Sequence, residues 1–275
     1  MNEARVLADG LGFPESPRWH EGRAWLCNWG VGEVLAVGGD DEYEVVARLA
    51  PRTIPLSIDW LPDGRMLVVD GPRGLLLRQE PDCTLTTVAD LTAFGFPPFN
   101  ELVVDGAGNA YVNGGPGKVV CVRPDGSMRE VADGLRWPNG MALIDDGRTL
   151  IVADSHAEQL VGFDVAGDGS LTGRRVWADL EDAPDGICAD ADGAVWVASV
   201  PGQGCVRVRE GGEVLDAVAV DRGCFACMLG GEDGRTLFIA AAKWHGMQAA
   251  MSSGPDWTGQ LLAAPCQPAP HAGRP

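Results

Sequence analysis

A turn followed by an apolar strand recurs six times along the chain, and this recurrence limits the fold more than any other feature. The copies are Glu21-Gly22-Arg23-Ala24-Trp25-Leu26, Asp63-Gly64-Arg65-Met66-Leu67-Val68, Ala107-Gly108-Asn109-Ala110-Tyr111-Val112, Asp146-Gly147-Arg148-Thr149-Leu150-Ile151, Asp192-Gly193-Ala194-Val195-Trp196-Val197 and Asp233-Gly234-Arg235-Thr236-Leu237-Phe238. Successive glycines of this set lie 42, 44, 39, 46 and 41 residues apart. Each unit holds several short β-rich runs divided by Gly, Asp and Pro turns. Asp-Gly and Glu-Gly pairs are hairpin signals, because glycine tolerates positive φ. A period of about 40–45 residues with four short strands is a propeller blade. A leucine-rich or tetratricopeptide solenoid would need a shorter period and Leu or helical patterning.

A second repeat bears on closure. Leu7-Ala8-Asp9-Gly10-Leu11 resembles Val131-Ala132-Asp133-Gly134-Leu135, and also Val88-Ala89-Asp90-Leu91 and Trp177-Ala178-Asp179-Leu180. These read as the ends of outermost strands, and the first lies before any full blade. The expectation is an all-β, six-bladed β-propeller with four strands per blade. Its N-terminal strand, about residues 4–8, completes the sixth blade and leaves no open gap in the ring. A single propeller domain over 1–275, with a loose tail at 267–275, accounts for the whole length.

Composition sets the partners. Lys and Arg total 21 against 39 Asp and Glu, a net charge of −18, which argues against nucleic acid and anionic membrane surfaces and suits a cation. No apolar run approaches the ~18 residues of a membrane span, and Met1-Asn2-Glu3-Ala4-Arg5 is not a basic-then-apolar signal segment. Most of the 8 cysteines sit in apolar runs, as small side chains of a reducing compartment would. The expected location is cytoplasmic. Cys224-Phe225-Ala226-Cys227 is the one close pair; a structural zinc site needs a second, so core packing is expected.

The connections entering the blades share a register. Asn100, Asn139 and Asp185 each precede the next turn glycine by eight residues, and Glu15 precedes it by seven. Leu56 or Ser57 and Ala226 or Cys227 fill this place in the other two blades. In a propeller such positions start the innermost strands, so four oxygen-bearing side chains converge at one mouth of the channel. Singly, Asn139-Gly140 and Asp185-Gly186 are ordinary turn dipeptides; recurrence in one register across four blades favours a site. Two carboxylates and two carboxamides are hard oxygen donors that suit Ca²⁺ or a similar divalent ion. Facing carboxylates without a cation would raise one another's pKa values. Loops on the same face supply the walls: Asn28-Trp29-Gly30, Asp70 to Arg73, Asn113-Gly114-Gly115, Asp154-Ser155-His156, Ser199-Val200-Pro201, and 243–258 with Trp244, His245, Met247, Met251 and Trp257. His156 and His245 are expected to be hydrogen-bonding residues and not catalysts. Neither a Gly-x-Ser-x-Gly elbow nor His-Glu-x-x-His occurs.

Phe13-Pro14-Glu15-Ser16-Pro17-Arg18-Trp19, Phe99-Asn100-Glu101-Leu102-Val103-Val104-Asp105, Trp137-Pro138-Asn139-Gly140-Met141-Ala142 and Ala183-Pro184-Asp185-Gly186-Ile187-Cys188 resemble the gluconolactonase / senescence marker protein (regucalcin) family of six-bladed propellers, a likeness running from about residue 5 to 265. The resemblance implies that Glu15, Asn139 and Asp185 are metal ligands. It implies that Asp185 is also the proton donor and acceptor, and that Asn100 contacts substrate or the metal. One divalent ion is implied, with Ca²⁺ favoured over Zn²⁺, Mn²⁺ or Mg²⁺. Pro98 stands where family sugar lactonases carry Arg, and Lys118 where they carry an acidic residue. The likeness therefore supports the metal chemistry further than it supports a sugar substrate. The activity implied is metal-dependent hydrolysis of a small-molecule lactone or ester. The alternatives are an organophosphate-type hydrolase, a metal-dependent biosynthetic enzyme on the same site, or a non-catalytic calcium-binding propeller.

Overall fold

The computed structural model describes residues 4–38, 43–246, 248 and 257–266. Its strands form six four-stranded antiparallel sheets arranged as a six-bladed β-propeller. From axis to rim the first five blades are β2(Pro14–His20) to β5(Tyr43–Arg48), β6(Leu56–Trp60) to β9(Leu85–Asp90), β10(Phe99–Val104) to β13(Met128–Ala132), β14(Pro138–Ile144) to β17(Leu171–Asp179), and β18(Ile187–Ala189) to β21(Val214–Ala219). The sixth is β22(Gly223–Gly230), β23(Thr236–Ala242), β24(Gly259–Pro265) and, outermost, β1(Arg5–Leu11).

The hairpin reading of the repeat has a direct backbone counterpart. Gly22, Gly64, Gly108, Gly147, Gly193 and Gly234 all have positive φ, between 69° and 84°, and each sits between the first and second strands of a blade. Neighbouring carboxylates hold several of these turns. Asp105 accepts from the Ala107 and Asn109 N–H groups at 2.9 Å, and Asp190 from Asp192 and Ala194 at 2.9 and 3.0 Å.

Closure follows the expected route. β1 pairs with β24 from Arg5 opposite Ala263 to Leu11 opposite Gly259. The strand runs three residues beyond the expected end at residue 8, because register shifts after Val6 and Ala8 bend it around the rim and keep it in contact with β24. Gly259 permits this: a Cβ there would collide with the Leu11 carbonyl and the Pro14 ring.

The apolar interior is divided into six seams, one between each pair of neighbouring blades. Leu76, Phe99 and Val112 fill the seam between blades two and three; Leu11, Leu26, Leu35 and Leu261 fill the one between blades six and one. The fifth seam, between blades five and six, collects Cys188, Cys205, Cys224, Cys227 and Cys266. Cys224 and Cys227 are thus core residues, as expected, and all eight thiols are free. Burial pushes Cys188, Cys205 and Cys227 well above the ordinary thiol range and keeps them protonated. Among the described residues no helix is long and apolar enough to cross a membrane.

Removing the chain up to Leu11 would strip β24 of its partner and open the seam at Ala8 and Leu11. The melting temperature should fall by roughly 10 °C or more, with loss of amide protection along β24, as differential scanning calorimetry and hydrogen exchange would record.

Candidate active site

The four residues sharing a register meet at the mouth where the inner strands begin. Asn100 Nδ2 donates to Asn139 Oδ1 at 3.0 Å. Asn139 Nδ2 donates to Ser155 Oγ at 3.4 Å, and the Asn139 amide is near enough to the Asp185 carboxylate to favour its charged form. Glu15 lies close enough to Asp185 for their charges to interact. Glu15 is buried, whereas Asn100, Asn139 and Asp185 keep partial exposure toward the opening.

Irregular pairing aims these side chains. The first and second strands of blades one, three and four shift register between Glu15 and Arg18, Phe99 and Leu102, and Pro138 and Met141. Each break lies at or beside a site residue, and a bulge of this kind turns a side chain out of the alternating pattern. Glu15 is flanked by two non-glycine residues at positive φ, Phe13 at 72° and Ser16 at 48°, a costly backbone held by its surroundings. The Ser16 N–H donates to Glu15 Oε2 at 2.5 Å.

Asn139-Gly140, a turn dipeptide when read singly, lies inside β14, while Asp185-Gly186 falls at a bend just ahead of β18, where Asp185 donates its N–H to the Ala198 carbonyl at 2.9 Å. Their glycines serve close approach. A Cβ on Gly140 would stand 2.5 Å from Ile187 N, and one on Gly186 would collide with Ala226. With these side chains absent, the blades join directly: Gly140 N–H to Asp185 O at 3.1 Å and Gly186 N–H to Phe225 O at 2.7 Å.

Polar side chains to which the sequence gives no more than a register or wall position link the remaining blades around the site. Ser57 Oγ donates to the Asn100 carbonyl at 2.8 Å, and Ser155 Oγ to the Pro184 carbonyl at 2.6 Å. Asn113, fully buried, accepts from the Glu101 N–H at 3.1 Å and donates to the Asn139 carbonyl. Beneath Glu15, the Arg18 guanidinium donates to Glu101 Oε1 at 2.9 Å and to the Leu102 carbonyl at 2.8 Å, while Glu101 also accepts from Ser16 Oγ at 3.2 Å. Glu101 and Arg18 were visible only as neighbours of Asn100 and Glu15. Their pairing needs blades one and three, which flank blade two, to approach each other near the axis, which no local pattern records.

The electrostatics favour a cation. Burial pushes the Glu15 carboxyl well above the carboxylate range, and Asp185 and Glu101 push it further. Burial likewise raises Asp185 to about 8; Asn139 works against the rise and Glu101 with it. Removal from water, more than the mutual repulsion expected from sequence, is the larger cause. Glu15, Glu101 and Asp185 outnumber Arg18, the guanidinium among them, and the surplus negative charge suits a divalent ion. Among the described residues no group of three or more His, Cys, Asp or Glu side chains is arranged for a metal. The donors on offer are mixed, two carboxylates with two carboxamide oxygens, and this set fits a hard cation.

Other expected wall residues have different partners. His156 stacks on Trp137 with ring centres 5.1 Å apart. Lys118, which opens β12(Lys118–Val122), pairs with Glu130 at 2.6 Å. Trp257 packs on Gly12, where a Cβ would meet its ring at 2.7 Å. Met247 and Met251 lie outside the described residues.

The family described as SMP-30/Gluconolactonase/LRE-like region matches residues 13–243. The diisopropyl-fluorophosphatase of Loligo vulgaris is 27% identical over 172 residues, covering 53% of this chain and 55% of that protein, so the chain spans about half the length of this curated relative. The regucalcin of Gallus gallus is 28% identical over 271 residues and 86% of each chain. A gluconolactonase structure from Xanthomonas campestris superposes with a TM-score of 0.77 at 23% identity, over 97% of this chain and 90% of that one, a likeness of fold.

A pH dependence of stability follows. Between its ordinary value near 3.8 and about 8, folded Asp185 holds a proton that the unfolded chain releases. Without a divalent ion this contribution is complete at low pH and is lost as pH rises through about 8. Melting temperatures in chelator should fall over that interval, and Asp185→Asn should remove this part of the slope. Separately, Gly186→Ala should cost roughly 1–3 kcal/mol through overpacking and weaken Ca²⁺ binding, measurable by urea denaturation and calorimetry.

Proposed function

The chain belongs to the SMP-30/gluconolactonase/LRE-like family, and from that premise we propose that it is a metal-dependent hydrolase that opens a small-molecule lactone. The observation that carries this reading is the gathering of Asn100, Asn139 and Asp185 at one mouth, Asn100 bonded to Asn139 and Asn139 favouring the charged form of Asp185, with Glu15 within electrostatic reach. Glu15, Asn139 and Asp185 would hold one divalent ion, Ca²⁺ by the hardness of the donors, with Zn²⁺, Mn²⁺ or Mg²⁺ as alternatives. Such an ion supplies Lewis-acid polarisation of an ester carbonyl.

The chain's own residues account for the rest. Asp185 takes a proton from the attacking water and returns it to the leaving alkoxide, general base and then general acid. Its partial exposure lets water and substrate reach it. Asn139 favours the charged form of that carboxylate, and Ser155 holds the adjoining Pro184 carbonyl. Asn100, with its amide committed to Asn139, is placed to meet the substrate. The Arg18–Glu101 pair supports the floor under Glu15; removing one member of such a buried pair costs about 3–5 kcal/mol.

The similarity to the diisopropyl-fluorophosphatase of Loligo vulgaris favours a second reading, an organophosphate-type hydrolase on the same residues. A panel of lactones and phosphotriesters separates the two: faster turnover of phosphotriesters selects the second.

Asp185→Asn should preserve the circular dichroism spectrum and lower turnover by roughly 10²–10⁴. Undiminished hydrolysis by this variant rules out the role given to Asp185. Glu15→Gln should abolish or strongly weaken Ca²⁺ binding in calorimetry, and chelation of the wild type should stop turnover until the ion is restored.

A further inference from the structure

The apolar side chains at the mouth narrow the substrate class. Among the described residues the exposed large hydrophobics fall into two sets. Val6, Tyr43, Val176, Val214 and Leu215 lie on β1, β5, β17 and β21, the outermost strands of their blades. Phe96, Trp137 and Trp244 lie instead on segments that lead into an inner strand or out of its hairpin partner, on the face where the candidate site opens. Trp244 belongs to a wall of four rings. Phe13 lies 5.2 Å from Trp29, 4.5 Å from Phe225 and 5.7 Å from Trp244, and Phe225 is 5.4 Å from Trp244. This wall touches the backbone beside both carboxylates: Phe13 is two residues before Glu15, and the Phe225 carbonyl accepts the Gly186 N–H.

A cavity of about 520 Å³ lies against Trp244, with Val200 and Pro201 completing its apolar lining, a size that holds small organic ligands. Gln203, Lys243 and His245 supply polar groups to it, while Arg222 is committed to Asp221 and to the Thr258 carbonyl. Near Asn100 the approach is Phe96-Pro97-Pro98-Phe99, without a hydrogen-bonding side chain, and the Lys118 amine is taken by Glu130. On the approach to Asn100 a polyhydroxylated ring would lose its hydration with few donors to replace it. A flat apolar ring would gain stacking on the exposed rings.

We propose that the mouth selects lactones or esters joined to an aromatic or similarly flat apolar ring, over polyhydroxylated sugar lactones. The proposal rests on the hydrolase reading for the reaction, but its test reads binding. Two lactams, which resist hydrolysis, serve as probes: 3,4-dihydroquinolin-2-one for the aromatic class and gluconolactam for the sugar class. Calorimetry on the full chain in Ca²⁺ should show the aromatic lactam binding at least about ten-fold more tightly. Trp244→Ala and Trp137→Ala should each weaken it by roughly 2–10-fold, with melting temperatures confirming that both variants fold, and Val176→Ala should change nothing. Tighter or equal binding of gluconolactam, binding of neither probe, or indifference to both tryptophan variants would overturn the proposal. Turnover of dihydrocoumarin and gluconolactone, measured alongside, keeps the two readings apart. Selective binding of the aromatic lactam without turnover of either lactone removes the hydrolase and leaves the selectivity. Turnover of gluconolactone with no preference for the aromatic lactam does the reverse.

Discussion

The antiparallel pairing of β1 with β24 is the contact on which the rest of the ring depends. Hydrophobic stabilisation is spread over six seams, each needing both of its blades. An unclosed ring would lose the seam between blades six and one, exposing an apolar sheet face on each side of the gap and leaving β24 an unpaired edge. The strand that closes it comes from the opposite end of the chain to its partners, so the last contact joins residues 248 to 258 positions apart. Closure also brings Glu15, at the start of β2, beside Asp185, at the start of the fifth blade.

Convergence toward the axis governs the site's chemistry. Inner strands crowd where they begin, and the crowding explains both the glycines and the electrostatics. Gly140 and Gly186 leave room for direct backbone bonds between blades. The same crowding removes Glu15 and Glu101 from water and partly encloses Asp185. Carboxylates gathered this way are unfavourable alone, and Arg18 offsets only part of their charge. The site thus gathers carboxylates at a cost in stability, with Asn113, Ser57 and Ser155 holding the neighbouring backbone.

Much of this was legible in the chain itself. The spacing of six glycines located the hairpins, and all six adopt the left-handed conformation that makes glycine necessary there. The shared register of Glu15, Asn100, Asn139 and Asp185 picked out residues that the fold brings together. Less legible was why Gly follows Asn139 and Asp185, since a turn and a close approach both favour glycine and look alike in sequence. Glu101, Arg18 and Asn113 carried no periodic signal, because their partners belong to other blades.

The sequence by itself determined the repeat, the number of blades, the closing strand and the positions that face the axis, because each of these is written in local spacing and turn chemistry. Only the tertiary structure decided which carboxylates feel one another, which polar groups link the blades, and that exposed aromatic rings gather on the same face as the candidate site. Those properties depend on distances between residues remote in the chain, and such distances exist only once the ring has closed.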